Sequence, residues 1–416
     1  MATTRTFQTM LNEYLPNDLL KEELIKRDYV LNRIDKDDNW KGGTIPVPFK
    51  AAGASSIKFG SLTGSTDIAE SSFVRGEIAA YKEVWGSLIF NHADIMQHDG
   101  KINESSFVKV IPDTLEDFLQ YMKEVVSNQI TGGPYFASVT DAADAATGIM
   151  IVDRIEKFII GQKITLDDDN SSAVSVYVTA IDINTNAVTF SATRGGAAYD
   201  ISAYTVAENA VFYYDGVTGT SSSFVSLKSA LLSLANGGTS TLHGQTKTAY
   251  PYLQAVNISG SDVTAANFLD KIFSAYTTVR RKARGQAQEV LMSYKHFGTA
   301  MSLLELTKGG YKVSEGSRKA NVNGWITIEI QIVATQETLK FVGIQELDDD
   351  IIMFIDWSGV TFRSNGFFRK RTAPDGKQYY EVRATTGYSY ILDMCLFGEL
   401  EVRKPGNCGI MHTISY

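Results

Sequence analysis

The chain has 416 residues, 44% hydrophobic and 21% charged, so it can bury a sizeable core and its length suits two or three domains. A formal net charge of −8 argues against a surface made to neutralise nucleic-acid phosphates. Two cysteines, Cys395 and Cys408, are too few for a disulfide framework and lack the spacing of a zinc site, which suits free, partly buried thiols in a reducing compartment.

Residues 1–20 mix Arg5, Asn12, Glu13, Asn17 and Asp18 among apolar residues and contain no secretory h-region. Pro16 opens a helical stripe of Leu19, Leu20, Leu24, Ile25 and Leu31, so residues 1–41 read as an arm with one amphipathic helix. Residues 42–93 read as a two-armed excursion. Extended runs at 44–49 and 73–89 enclose a turn-prone stretch rich in Gly53, Ser55, Ser56, Gly60, Gly64 and Ser65, which cannot bury a core by itself. Ile111, Leu115, Phe118, Leu119, Met122, Val125 and Val126 share one helical face over 112–130. Asp113, Glu116 and Asp117 favour the start of that helix, since anions complement the positive end of its dipole.

From 155 to 214 the pattern turns to strands. Val174, Val176 and Val178 alternate with polar residues, residues 184–186 form a turn, and 188–191 begin the partner strand, which suggests an inserted β-barrel or sandwich. Helices are expected near 225–235, 265–284 and 294–307; the second ends on the basic turn Arg280, Arg281, Lys282 and Arg284. Ile326, Ile328, Ile330 and Ile332 alternate as a half-buried strand, and the apolar run 351–355 suits a strand covered on both faces. Pro374, Asp375 and Gly376 mark a hairpin turn between 367–371 and 378–383. The longest apolar segments, 351–355 and 388–397, fall well below the roughly 18 residues that span a bilayer, so no membrane role is expected.

The chemistry-bearing motifs are missing: there is no phosphate-cradling GxxxxGK[ST], no GxGxxG after a strand and no GxSxG elbow. His92, Asp94, His98 and Asp99 form the best metal candidate. On a helix a spacing of six turns the chain by about 600°, which puts the two imidazoles on nearly opposite faces, so a solvated turn is the favoured reading. Asp167, Asp168 and Asp169, and Asp348, Asp349 and Asp350, lack the glycine and closing glutamate of a calcium loop and read as solvated loops. The basic cluster Arg363, Arg369, Lys370, Arg371, Lys377 and Arg383 has two readings of equal weight: docking against an acidic neighbouring subunit, or protection of an edge strand.

Residues 338–383, with LKFVGIQELDDDIIMFIDWSGVTFRSNGFFRKR and PDGKQYYEVR, followed by TTGYSYILDMCLFGELEVRKPGNCGIMHTI, resemble the C-terminal portion of the tailed-bacteriophage major capsid proteins. That family shares its fold with encapsulin shells and the herpesvirus capsid floor, and the order of elements is similar over nearly the whole chain. The resemblance implies an α+β fold with an N-terminal arm (1–41), an extended loop (42–93) and a peripheral part with a spine helix (94–154). An inserted β-domain (155–215), a mainly axial region (216–345) and C-terminal strands of the axial and peripheral domains (346–416) complete the chain. It further implies a non-enzymatic subunit that assembles into the hexamers and pentamers of an icosahedral head around double-stranded DNA. Such a subunit uses no cofactor, resides in the virion capsid and is assembled in the bacterial cytoplasm. Its partners would be its own copies, a separate scaffolding protein, a portal and a decoration or cement protein. The absence of a charged helical extension before the arm suits a separate scaffold. The alternatives are an encapsulin-like compartment shell and a metal-dependent hydrolase centred on His92 and His98.

Overall fold

A computed structural model describes residues 28–41, 43–52, 72–91, 110–141, 145–167, 174–200, 210–217, 223–283, 287–306, 327–332, 337–366, 369–372, 376–377, 379–384 and 387–416. The chain divides into two compact units, one of residues 1–127, 231–345 and 349–416 and one of residues 128–230 and 346–348.

The first unit holds two six-stranded sheets. One has the strand order Val256–Ser259, Gly409–His412, Ile352–Ile355, Glu289–Ser293, Glu337–Ile344, Thr327–Ile332, with parallel and antiparallel pairs mixed. The apolar run expected at 351–355 is a central strand in which every residue is buried. Helices Phe268–Lys282 and Tyr294–Leu306 lie where the 3.6-residue pattern puts them, and Phe268, Ile272, Tyr276 and Val279 share a core with Val290, Phe341 and Phe354.

The other sheet is organised by one long strand, Gly387–Val402. Along one edge it pairs in turn with Val360–Ser364, Arg369–Lys370 and Tyr380–Ala384; along the other it pairs with Lys82–Asn91. Asp35–Asp37 adds in parallel beyond Val360–Ser364. This register corrects the expected hairpin. Residues 369–370 and 380–384 do not pair with each other, and the reversal falls between Ala384 and Gly387. Gly376 does take a left-handed φ of 83°, but within an excursion between two strands that share one long partner. Pro374 and Asp375 lie outside the described residues, and the register of the flanking strands is set by the long strand.

The expected extended run at 73–89 is likewise split. Ser72–Ile78 pairs with Ile45–Ala52 in a two-stranded ribbon, while Lys82–Asn91 crosses to the long strand. Val47, Phe49 and Ile78 are buried along one ribbon face, and Phe73, Arg75 and Glu77 alternate on the other. Pro46 and Pro48 share one parity, so their missing N–H groups fall on the open edge rather than in the ladder. The helix expected at 112–130 runs Val110–Thr131. It packs on the long-strand sheet at Gly86, where a Cβ would come within 2.5 Å of Met122 Sδ and 2.6 Å of Phe118 Cζ. Of the expected N-terminal helix only Tyr29–Arg33 is described, and the stripe Leu19, Leu20, Leu24 and Ile25 lies outside the described residues. Tyr29 Oη (2.8 Å), Trp357 Nε1 (2.5 Å) and Arg33 all donate to Glu289, a buried carboxylate at the start of a central strand. Burial pushes that carboxyl up, but the donors outweigh burial and hold it below its ordinary value.

The second unit is a closed antiparallel barrel in the order Val211–Tyr214, Tyr135–Asp141, Ile149–Val152, Ala187–Ser191, Val174–Asp182, Lys163–Asp167 and back to the first. Phe136, Phe158, Phe190, Phe212 and Tyr214 fill it, with Phe190 stacked on Phe212 at 5.3 Å and Phe136 on Tyr214 at 4.6 Å. The strand-rich block thus begins at Tyr135, not 155. Its first strand follows the long helix directly, and its second, Ile149–Val152, is only four residues, too short to show an alternation. The helix expected near 225–235 is a five-residue turn, Leu227–Leu231, and a 3₁₀ turn, Leu234–Asn236, closed by Gly237 in the left-handed region.

Candidate interaction surface

The long-strand sheet has two faces of opposite character, set by the parity of Gly387–Val402. Leu392, Met394 and Leu396 are fully buried and lie opposite Leu88, Gly86 and Val84, on the face that carries the long helix. The other parity places Ile391, Asp393, Cys395 and Phe397 opposite Ile89, Ser87, Trp85 and Glu83. Ile89 is 59% exposed, Trp85 45% and Tyr81 40%, and Val382 is exposed on the neighbouring strand. Phe397 meets Tyr81 at 5.5 Å and Trp85 at 5.3 Å edge to face, and Trp40 joins Tyr81 at 5.7 Å. Trp40, Lys41, Tyr81, Asn365 and Phe397 line a shallow cavity of about 250 Å³.

Of the six basic residues singled out in the sequence, the five whose side chains are described do not form one patch. Arg363 is engaged by Asp37 and, at 2.5 Å, by Glu401, whose other oxygen lies 2.5 Å from Arg403. Lys370 lies opposite Met394 on the helix-bearing side, and burial pushes its amine down to about 8. Lys377 pairs with Glu381 at 2.9 Å and sits over the Tyr379 ring. Arg371 reaches Asp393 at 3.7 Å and lies over the rings of Trp85 (5.5 Å) and Tyr380 (5.2 Å), a cation placed against aromatic faces. Arg369 is exposed opposite Cys395, and the side chain of Arg383 lies outside the described residues. Sequence reasoning missed the acids that hold these cations, Asp37, Asp393 and Glu401, and the aromatic row beside them. The shared parity of Tyr81, Trp85 and Ile89 in a run read as extended was a signal that could have found that row.

The other candidates resolve differently. His92, Asp94, His98, Asp99 and residues 168–170 lie outside the described residues. Asp348 holds Arg154 at 2.7 Å and also Lys228, so this carboxylate serves an ion cluster of the barrel unit rather than a solvated loop. Among the described residues no group of three histidine, cysteine, aspartate or glutamate side chains could hold a metal, and no helix is long and apolar enough to cross a membrane. Cys395 and Cys408 are both free and buried; burial pushes the Cys408 thiol up to about 12 and also raises that of Cys395, against the pull of Arg369 and Arg371.

No protein-family model and no curated protein matches the chain. Among solved structures it is similar to the capsid of cyanophage A-1(L), with 11% identity over 92% of this chain and 91% of that one and a TM-score of 0.45. It is also similar to the procapsid of satellite phage P4 that includes the size determination protein, at 8% identity, 96% and 99% coverage and a TM-score of 0.41. A third is a virus-like particle from Pyrococcus furiosus, at 6% identity, 95% and 96% coverage and a TM-score of 0.36.

Proposed function

We propose that this chain is the shell-forming subunit of a tailed-phage head, a major capsid protein that works by assembling with its own copies and not by catalysis. The observation that carries the reading is the contrast within one sheet: one face is sealed by the long helix, while the other leaves Tyr81, Trp85, Ile89 and Val382 in solvent. Contiguous exposed aromatic and aliphatic side chains mark surfaces that are covered in an assembly. The open ribbon at 45–52 and 72–78 supports the same reading, because two strands with an outer face holding Phe73, 66% exposed, gain from lying on a neighbour.

On this reading the exposed side chain of Arg369 and the guanidinium of Arg371, which lies over the Trp85 and Tyr380 rings, contact an acidic surface of the adjoining subunit, and opposite charge sets the register of assembly. Hexamers and pentamers would close the shell around DNA. The net charge of −8 suits a container that does not bind its contents tightly. A separate scaffold, a portal and a decoration or cement protein would be its partners, and the virion capsid, built in the host cytoplasm, its location.

The test is co-expression with the scaffold, followed by light scattering and negative-stain microscopy. Closed shells or capsomers support the reading, whereas a monomer or dimer that persists with scaffold present refutes it. Deleting residues 51–64 should leave a soluble chain that fails to close shells.

A further inference from the structure

The short hairpin of Thr241–Leu242 and Gln245–Thr246 sits where the ribbon meets the rest of the first unit. Its turn is His243–Gly244, both in the left-handed region at φ 47° and 78°; two such residues match the twist of a two-residue hairpin turn, and glycine takes that conformation without cost while histidine pays for it. His243 is nonetheless buried, and both its backbone and its side chain are used.

Toward the ribbon, the His243 carbonyl accepts from Glu77 N at 2.9 Å, and Gln245 Nε2 donates to the Arg75 carbonyl at 2.8 Å. The imidazole stacks on Phe49 at 6.1 Å with planes 13° apart. Gly76 permits this approach, since a Cβ there would lie 2.9 Å from the His243 carbonyl oxygen and 2.5 Å from the Phe49 ring. Toward the sheet, Val402 N donates to His243 Nε2 at 3.2 Å, at the end of the long strand. One side chain therefore touches the ribbon with its ring face and the sheet with its ring nitrogen.

We propose that His243 is a proton-sensitive pin that fixes the base of the 45–52/72–78 ribbon to the end of the long strand, and that protonating it frees the ribbon to swing. Nε2 holds Val402 only as a lone-pair acceptor. A proton on that nitrogen removes the acceptor, sets two N–H groups against each other and puts a charge in a buried site. Burial also pushes the imidazole down to about 4, so it stays neutral until the medium is well acidic.

The surrounding charges do not take over this role. Arg75 and Glu77 of the ribbon pair with each other at 3.2 Å in solvent, and Lys50 lies over the Tyr252 ring. On the long strand Glu401 is shared between Arg363 and Arg403. On the hairpin side, Lys247 Nζ donates to the Leu232 carbonyl at 3.0 Å. Burial is the cause of the shift at His243, with no charged group contributing to it.

The sign follows from a folded-state value below the ordinary 6.5: the pinned state binds fewer protons than the released one, so pinning is strongest above about 6.5 and weakens as pH falls toward about 4. Across that window the released fraction rises on the order of a hundredfold. This inference concerns the isolated chain and stands whether or not the chain builds shells.

The experiment is amide hydrogen exchange on the full chain, read as protection factors of Glu77 and Val402 between pH 7.5 and 4. The expected result is a fall on the order of a hundredfold at both amides, while Phe212 in the barrel keeps its protection. His243→Gln, which keeps an acceptor but cannot be protonated, should remove the pH dependence. His243→Leu should show low protection at Val402 at every pH. Equal protection of Glu77 and Val402 at pH 7.5 and 4 in the unaltered chain overturns the proposal, and so does an unchanged pH dependence in His243→Gln.

Discussion

The barrel and the ribbon are both antiparallel β structure made of short strands, and they solve the edge problem in opposite ways. In the barrel every strand has a neighbour on both sides and the interior is filled by Phe136, Phe158, Phe190 and Phe212. In the ribbon each strand has one partner, one face is covered through Phe49 and His243, and the other presents Phe73, Arg75 and Glu77 to solvent. A closed barrel is self-sufficient because closure removes edges. A two-stranded ribbon is marginal alone and draws its order from what it touches. The difference separates a part of the chain that stabilises itself from a part that is available to neighbours.

The largest effect should come from emptying the barrel. Phe212→Ala removes a fully buried ring that meets Phe136, Phe158 and Phe190, and should cost about 3–5 kcal/mol as read by denaturant unfolding. If the units are independent, ribbon amides keep their exchange rates; a parallel loss at 45–52 would break the comparison.

Next is Gly86→Val, which forces a side chain between the sheet and Met122 and Phe118 and should cost about 1–3 kcal/mol by overpacking, with the barrel unaffected. Arg363→Ala should cost a similar or smaller amount, roughly 1–3 kcal/mol. It strips one partner from buried Glu401, but Arg403 remains and Arg363 is itself partly in solvent, which screens the loss.

The smallest stability effect belongs to Trp85→Ala. Its ring is 45% exposed, so chain stability should change by about 1 kcal/mol or less while particle yield with scaffold falls. A stability loss as large as that of Phe212→Ala would show the ring to be core rather than contact.

Much of the architecture was legible because its signals are local. The helix at Val110–Thr131 differs from the expected span by two residues at its start and one at its end, and the buried strand Ile352–Ile355 lies inside the apolar run that announced it. What was not legible depends on partners far apart in sequence. Nothing near Lys82–Asn91 says that it pairs with residues 389–398, or that Asp35–Asp37 adds in parallel to residues 361–363. The turn signal at Pro374–Gly376 misled for the same reason, since the ladder is set by Gly387–Val402 and not by the local turn. The basic cluster was visible as composition, but its division into paired, buried and exposed members required the sheet's parity, which puts Lys370 on one face and Arg369 on the other. The exposed apolar side chains Tyr81, Trp85 and Ile89 share one strand parity, but 84–90 is almost continuously apolar, so they were read only as part of an extended run.

The most direct test of the account compares hydrogen exchange in the free chain and in assembled particles. Apart from Glu77, whose amide the His243 carbonyl already holds, the ribbon at 72–78 and the strand Lys82–Asn91 should slow by at least about tenfold on assembly, because open edges and exposed faces become covered, while Val211–Tyr214 in the barrel stays unchanged. Protection that is already full in the free ribbon and strand, and does not change on assembly, would contradict the claim that these are the surfaces through which the chain meets its neighbours.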